Sequence, residues 1–422
     1  MNESTEITTA ARRLRRAIRG ELHRDGDRIV VGASTAADIR SAVLIAREHD
    51  LPLAVWATGH GTLVELDRGV VVNTAAMAPV LVDPDRRVAR VGPGAQWGAV
   101  IAAAAPCGLA PLAGSSPSVG VAGFTLGGGV GWLARKHGFA ADSLVRAELV
   151  TADGAIVTAS ADEHVDLFWA LRGGGGNFGV ATSLEVRLYP VTRVYAGTAF
   201  FAVERAAETL ARYRDWTAGA PDELSTALLL TRLPDGTRVL AIRAMYLGHA
   251  AQAERLLAPL REVAGPALVD GLRPTSFAAA EMGGTAPRHL DLLHDLPDAV
   301  IDMLVGIEDA TVEVRHWGGA IARPGADAGP VGHRDVPLSV IVDDEVPEVA
   351  AALAPHATGG SFLNFLRDPS QTERAYTAAD YAALRAVKAS YDPDNVFGLN
   401  HNIAPALPRA AASSASAAGA AR

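Results

Sequence analysis

Seven glycines, Gly114, Gly120, Gly123, Gly127, Gly128, Gly129 and Gly131, fall within 18 residues, and four consecutive ones follow at 173–176. Glycine costs backbone entropy and gives positive φ and close approach in return, so main chain is being brought near something. One reading is a set of tight turns. The other is a cradle whose amide N–H groups converge on an anionic group such as a pyrophosphate. The interleaved Val119, Val121, Phe124, Leu126 and Val130 favour a loop packed into the core over one lying in solvent. No G-x-x-x-x-G-K-[ST] occurs, and no G-x-G-x-x-G follows a first strand and opens a helix, which disfavours P-loop and Rossmann sites. A ligand held by several separated glycine-rich loops remains.

Composition narrows the class. The 422 residues are 49% hydrophobic and 20% charged, enough for one large or two medium domains and unlike disordered or collagenous chains. Lys+Arg 38 against Asp+Glu 47 gives a net charge of −9, which repels a phosphate backbone, so no nucleic-acid partner is expected. The single cysteine, Cys107, excludes an internal disulfide framework and a Cys-based zinc site, fits a reducing compartment, and is expected to be a buried structural thiol. No metal site is expected. The N-terminus has no apolar signal core and no stretch approaches the roughly 18 apolar residues of a spanning helix, so the expectation is a soluble, cytoplasmic protein without a membrane partner. The sequence says nothing of oligomeric state. Arg12, Arg13, Arg15, Arg16 and Arg19 among Ile7, Leu14 and Ile18 read as an amphipathic helix with a solvated basic face.

From Arg28 to about Pro190, short β-rich runs alternate with helical patterns, including strands at Ile29 to Val31 and Leu53 to Ala57 and a helix from about Ala36 to Glu48. Asp83-Pro84-Asp85-Arg86 and Asp153-Gly154 read as hairpin turns. Between about 191 and 370 the texture changes. Strand candidates are Tyr195 to Ala202, Thr226 to Leu230, Arg238 to Tyr246, Thr311 to Trp317, Leu338 to Val342 and Phe362 to Leu366, separated by helices at Ala206 to Trp216, Ala250 to Leu260 and Leu296 to Ile307. An antiparallel sheet with helices on one face is the economical arrangement. A helix from about Ala378 to Tyr391 is expected to return to the first part. The fold class is α+β, with segments at 1–190, 191–370 and 371–408 and a disordered tail at 409–422.

Thr58-Gly59-His60-Gly61-Thr62 stands at the end of the Leu53 to Ala57 strand. A histidine flanked by glycines is unhindered and suits a nucleophile or ligand, although a loop histidine of no special role is the plainer reading. Taken with Gly114-Ser115-Ser116-Pro117-Ser118-Val119-Gly120, Gly127-Gly128-Gly129-Val130-Gly131, the run Leu167 to Gly179, and the closing Tyr391-Asp392-Pro393-Asp394-Asn395-Val396-Phe397 with Asn400-His401-Asn402-Ile403, the sequence resembles the FAD-linked oxidases of the berberine-bridge-enzyme type. The motifs occur in the right order over roughly residues 25 to 407.

The resemblance implies a two-part PCMH-type FAD-binding domain, formed by the N-terminal half and the C-terminal segment, with a substrate domain inserted between them. It implies FAD bound by Thr58, Gly59, His60, Gly61 and Thr62, by Gly114, Ser115, Ser116, Val119, Gly120, Gly123, Gly127, Gly128 and Gly131, and by Gly179, Val180 and Asn400. His60 matches the histidine that bonds to the flavin 8α-methyl carbon. Many members add a cysteinyl bond where this chain has Ser116, a poor nucleophile without an activating base, so the expectation is covalent FAD through His60 alone. His137 is expected to pack rather than react.

For the substrate, alternation in Thr311 to Trp317 puts Glu313, Arg315 and Trp317 on one face, either toward the cleft or toward solvent. The strand on which members often carry a catalytic tyrosine has none here, leaving Tyr246 as a replacement phenol and Asn364 as an orienting group. The implied activity is hydride transfer from a small amine or hydroxylated secondary metabolite to the flavin, with dioxygen as acceptor and hydrogen peroxide as product. Alternatives are a dehydrogenase, a monooxygenase, a non-redox cyclase or an inactive binding protein.

Overall fold

The computed structural model describes residues 3–407, and the tail expected at 409–422 lies outside the described residues. Three sheets carry the fold. In the first, Asp27–Gly32, Arg68–Asn73 and Leu53–Trp56 pair in parallel, and Glu21–Asp25 adds an antiparallel edge. Val70, Val71 and Val72 are fully buried, as befits a strand covered on both faces. Helices Glu3–Ala17 and Ala36–Glu48 cover the sheet through Ile7, Leu14, Ile39 and Val43, while Arg12, Arg13, Arg15 and Arg16 stay exposed as the amphipathic pattern requires. The second helix starts at Thr35, whose hydroxyl accepts from the Asp38 amide while the Asp38 carboxylate accepts from the Thr35 amide.

The second sheet is antiparallel, ordered Val80–Asp83, Val88–Val91, Val180–Arg187, Leu144–Val150 and Ile156–Ser160, with both expected hairpin turns in place. Its core takes in Leu167 and Leu171 from helix Val165–Leu171 and Leu384 and Val387 from helix Ala378–Tyr391. The chain therefore comes back late to a core built early.

The third sheet draws all eight strands from residues 193–342 and is antiparallel throughout. Strand alternation divides it. Leu228, Ile242, Val312, Val314 and Val340 pack under helices Ala206–Thr217, Ala250–Ala264, Asp298–Gly306 and Pro347–Leu353. Ala227, Leu229, Ala241 and Met245 face the other way, onto Leu112, Trp132, Leu133 and Ala140. Arg135, 4% exposed, ties this docking by donating to the Leu224 carbonyl at 2.8 Å and to the Trp317 carbonyl.

Two expectations are corrected. Phe362 to Leu366 is a turn rather than a strand: the Phe365 and Leu366 amides both donate to the Phe362 carbonyl, at 2.8 and 3.0 Å, while Phe362 packs on Phe139 and Trp317. Cys107 is exposed, because it ends the surface 3₁₀ turn Ala105–Cys107 that Gly108 terminates at φ 70°. No helix among the described residues is long and apolar enough to cross a membrane.

The closing segment is held by a buried ion pair. Lys388 and Asp392, both with 0% side-chain exposure, meet at 2.6 Å. The ammonium also donates to the Asn177 carbonyl at 2.7 Å and the Phe397 carbonyl at 3.1 Å, and Asp392 accepts from the Val396 and Phe397 amides. Burial pushes the lysine down from its ordinary value, and Asp392 opposes the shift. Lys388→Met would strand a buried carboxylate and two carbonyls, at a cost of about 3–5 kcal/mol. Thermal melts of the two variants check this: Lys388→Met should fall well below wild type, and the double variant Lys388→Met/Asp392→Asn, which removes the unpaired charge, should recover part of the loss.

Candidate functional site

His60 lies just beyond strand Leu53–Trp56, in a turn closed by the Thr62 amide donating to the Gly59 carbonyl at 3.2 Å. It is exposed, and a Cβ added at Gly59 or Gly61 would meet nothing within 4 Å, so the imidazole is approachable from both sides. Its Nε2 is 3.4 Å from the Ser118 hydroxyl, which is 2.9 Å from the Ser116 hydroxyl. Thr58 backs onto Gly120, where an added Cβ would come within 3.1 Å of its hydroxyl. From the far end of the chain, Asn400 at φ 59° accepts from the Leu63 and Val64 amides at 3.0 Å each and braces the segment that follows His60.

The glycine-rich run is a short helix, Val121–Leu126, between two stretches of close-packed backbone, rather than one loop. At Gly131 any side chain is excluded, since a Cβ would sit 1.9 Å from the Ala113 carbonyl oxygen. Asn364 fastens the helix end: its Oδ1 accepts from the Gly129 amide at 2.8 Å, and its Nδ2 donates to the Gly123 and Phe124 carbonyls at 3.3 Å. A Cβ at Gly127 would collide with that amide group, and one at Gly128 would press on Phe362. Gly114 lies under the Phe124 ring, Val119 packs on the second core, and the Trp132 indole donates to Ser115 at 3.1 Å. Gly179 and Val180 stand at the start of strand Val180–Arg187, where Gly179 is pressed against the Val150 carbonyl. His137 stacks on Tyr189 at 3.9 Å, and burial beside Lys136 pushes it down to about 4, which keeps it neutral and suits packing.

These residues fit a dinucleotide cofactor. Among the described residues the amides of Gly59, His60, Gly61, Ser115 and Ser116 donate to no backbone carbonyl, so two adjacent runs of N–H groups are available to an anion. Added Cβ atoms at Gly59, Gly61 and Gly123 all find open space. Pyrophosphate and a flat ring suit that combination of free donors and bare backbone.

Across from this loop, Glu313 and Arg315 share the sheet face that turns away from the helices, and a solvent-facing strand is excluded by their exposures of 0% and 7%. Both Glu313 oxygens are engaged: Oε1 accepts from Arg315 Nε at 2.6 Å and Oε2 accepts from the Thr285 hydroxyl at 2.7 Å. Arg315 lies over the Trp132 ring at 5.0 Å, which links the pair to Ser115. Trp317 is next in line but sits in the aromatic cluster of Phe139 and Phe362 and donates to Ser339 at 2.9 Å. Tyr246 does not join them. Alternation along Arg238–Tyr246 turns it into the helix-side core, and sends Arg243 to the face that carries Glu313, 3.6 Å from its Oε2. Sequence reasoning passed over Arg243, whose signal is a charged residue in the middle of the apolar run Val239 to Tyr246, and over Ser118, Trp132 and Thr285 as site residues.

Comparison with known proteins supplies the family. Residues 28–160 match the FAD binding domain family, and residues 361–404 match the family described as berberine and berberine like. The chain is 30% identical to (R)-6-hydroxynicotine oxidase of Paenarthrobacter nicotinovorans over 89% of its own length and 91% of that protein's. Its fold superposes on 6-hydroxy-D-nicotine oxidase from Arthrobacter nicotinovorans with a TM-score of 0.79 at 26% identity, covering 92% of this chain and 98% of the other. Berberine bridge enzyme from Eschscholzia californica superposes with a TM-score of 0.78 at 21% identity, covering 90% of each chain. Glycine loops, fold and full-length likeness together make the chain a member of the FAD-linked oxidoreductases of the berberine-bridge type, and so an FAD-dependent oxidoreductase.

Proposed function

We propose that this FAD-dependent oxidase holds its flavin by one covalent bond, from His60, and oxidises a small amine or hydroxylated metabolite with dioxygen as the acceptor. When bound, FAD supplies a two-electron acceptor for hydride from a substrate carbon, and dioxygen takes the pair onward to hydrogen peroxide. The observation that carries the attachment is the His60 environment. The imidazole Nε2 lies 3.4 Å from the Ser118 hydroxyl, and in the tautomer whose Nε2–H donates there the Nδ1 lone pair is left free, as a nucleophile needs. Ser116, where related sequences place a second attaching cysteine, is hydrogen-bonded to Ser118, and the only thiol, Cys107, lies on a separate surface turn.

The remaining residues divide by what they touch. Thr58, Gly59, Gly61 and Thr62 present His60. Gly114, Ser115, Ser116 and Gly120 to Gly131 supply donors and bare backbone, and Asn364 holds that stretch in shape. Asn400 braces the His60 turn from outside. Glu313 is enclosed by Thr285, Arg315 and Arg243, so it orients the two arginines rather than taking a substrate proton. A substrate that releases hydride from a neutral amine needs no such base.

Mass spectrometry of denatured holoprotein tests the attachment: flavin mass should stay on the peptide containing His60, and His60→Ala should release it in full. Ser118→Ala should lower the attached fraction without abolishing it. Flavin that leaves the native protein on denaturation rejects the covalent bond. The acceptor is tested without knowing the substrate. Holoprotein photoreduced under argon and then mixed with aerated buffer should regain its colour promptly and yield hydrogen peroxide stoichiometric with flavin, whereas a dehydrogenase would stay bleached until given another acceptor.

A further inference from the structure

The sheet face opposite the flavin loop holds two guanidinium groups and one carboxylate. Arg243, Arg315 and Glu313 have side-chain exposures of 14%, 9% and 0%, and Glu313 lies within ion-pair distance of both arginines. The cluster therefore keeps one positive charge in excess. Arg315 takes the short contacts to Glu313, at 2.6 Å, while Arg243 stays 3.6 Å away and its buried Nη1 has no hydrogen-bond partner. Its Nε reaches only Thr198, at 3.4 Å. A buried cation with an idle donor costs stability that an apolar residue in the same strand would not.

What covers Arg243 is bare backbone. A Cβ at Gly283 would come within 3.5 Å of its Nη2, and one at the next residue, Gly284, would come within 2.9 Å of the Ser115 Cβ. Consecutive Cα atoms are about 3.8 Å apart. Gly283 thus faces the guanidinium and Gly284 faces Ser115 of the flavin loop, so the two are near neighbours, and neither glycine puts a side chain between them. Ala227, Leu229 and Met245 supply apolar wall on the same face.

We infer that the small molecule oxidised at this site carries a carboxylate, which Arg243 binds with support from Arg315, so that the opposite end of the molecule lies at the flavin loop. This rests on the oxidase reading above and adds the substrate class. Glu313 is a positioning residue here: it fixes Arg315 in place and leaves Arg243 donors for the ligand. The recognition is a charge-assisted contact in a partly desolvated site, which discriminates strongly against a neutral analogue of the same shape.

Calorimetry on flavin-loaded holoprotein, with flavin content read separately by absorbance, tests this with benzoate and benzamide, which differ in charge and little in shape. Benzoate should bind saturably and benzamide at least about tenfold more weakly. Arg243→Met should weaken benzoate by roughly ten- to a hundredfold. Arg243→Lys, which keeps the charge, should retain part of the affinity and serves if the methionine variant fails to fold. Absence of benzoate binding, equal binding of the two probes, or unchanged benzoate affinity in Arg243→Met overturns the inference. A preparation without flavin contradicts the oxidase reading instead, and the same titration on it still decides the carboxylate site.

Discussion

An ammonium group with no exposed surface has to find its acceptors inside the protein, and Lys388 finds them on three separate pieces of chain: Asp392 one turn along its own helix, the carbonyl of Asn177 beyond the second glycine run, and the carbonyl of Phe397. Asn177 completes the joint, since its side chain donates to the His401 carbonyl and accepts from the Ile403 amide. Burying this pair is expensive, so it tolerates one arrangement of the closing segment and penalises others. That arrangement delivers Asn400 to the amides after His60. The geometry of the turn that presents the imidazole is thereby set by residues more than three hundred positions away.

The parts of this architecture that sequence reveals are those in which one periodicity or one turn suffices. Val312 and Val314 had to part from Glu313 and Arg315 because side chains alternate along a strand, and one face of a covered sheet is apolar. The Asp153-Gly154 hairpin and the helix Ala378–Tyr391 follow from equally local rules. Lys388 looks in sequence like any solvated helix lysine, and its burial depends on Asn177 and Phe397 arriving from elsewhere. Phe362 to Leu366 reads as a strand because it is apolar. It turns instead because Phe362 is anchored among aromatic rings and Asn364 is committed to the helix end at Gly129. Alternation left Glu313 facing either the cleft or solvent, and its enclosure by Thr285 and Arg243 comes from contacts between distant strands and a loop.

The two halves of the site are built on different physics. On the flavin side the protein removes side chains and leaves backbone donors idle, so in the proposed site the recognition of phosphate and ring would fall to main chain braced by Asn364 and Asn400. On the sheet side it concentrates charge in a mostly buried setting, where a guanidinium in excess exerts a stronger pull than in solvent. Trp132 joins them, with its indole on Ser115 and its face under Arg315. A substrate bound between the two as proposed would be fixed at both ends, which is what hydride transfer over a short distance demands.

A crystal structure of the yellow holoprotein tests the central claim most directly. The account predicts continuous electron density from the His60 imidazole into the flavin ring, with the pyrophosphate against the amides that follow Gly114. Density for the flavin elsewhere, or a ring seated in this groove with a clear gap to His60, would contradict it.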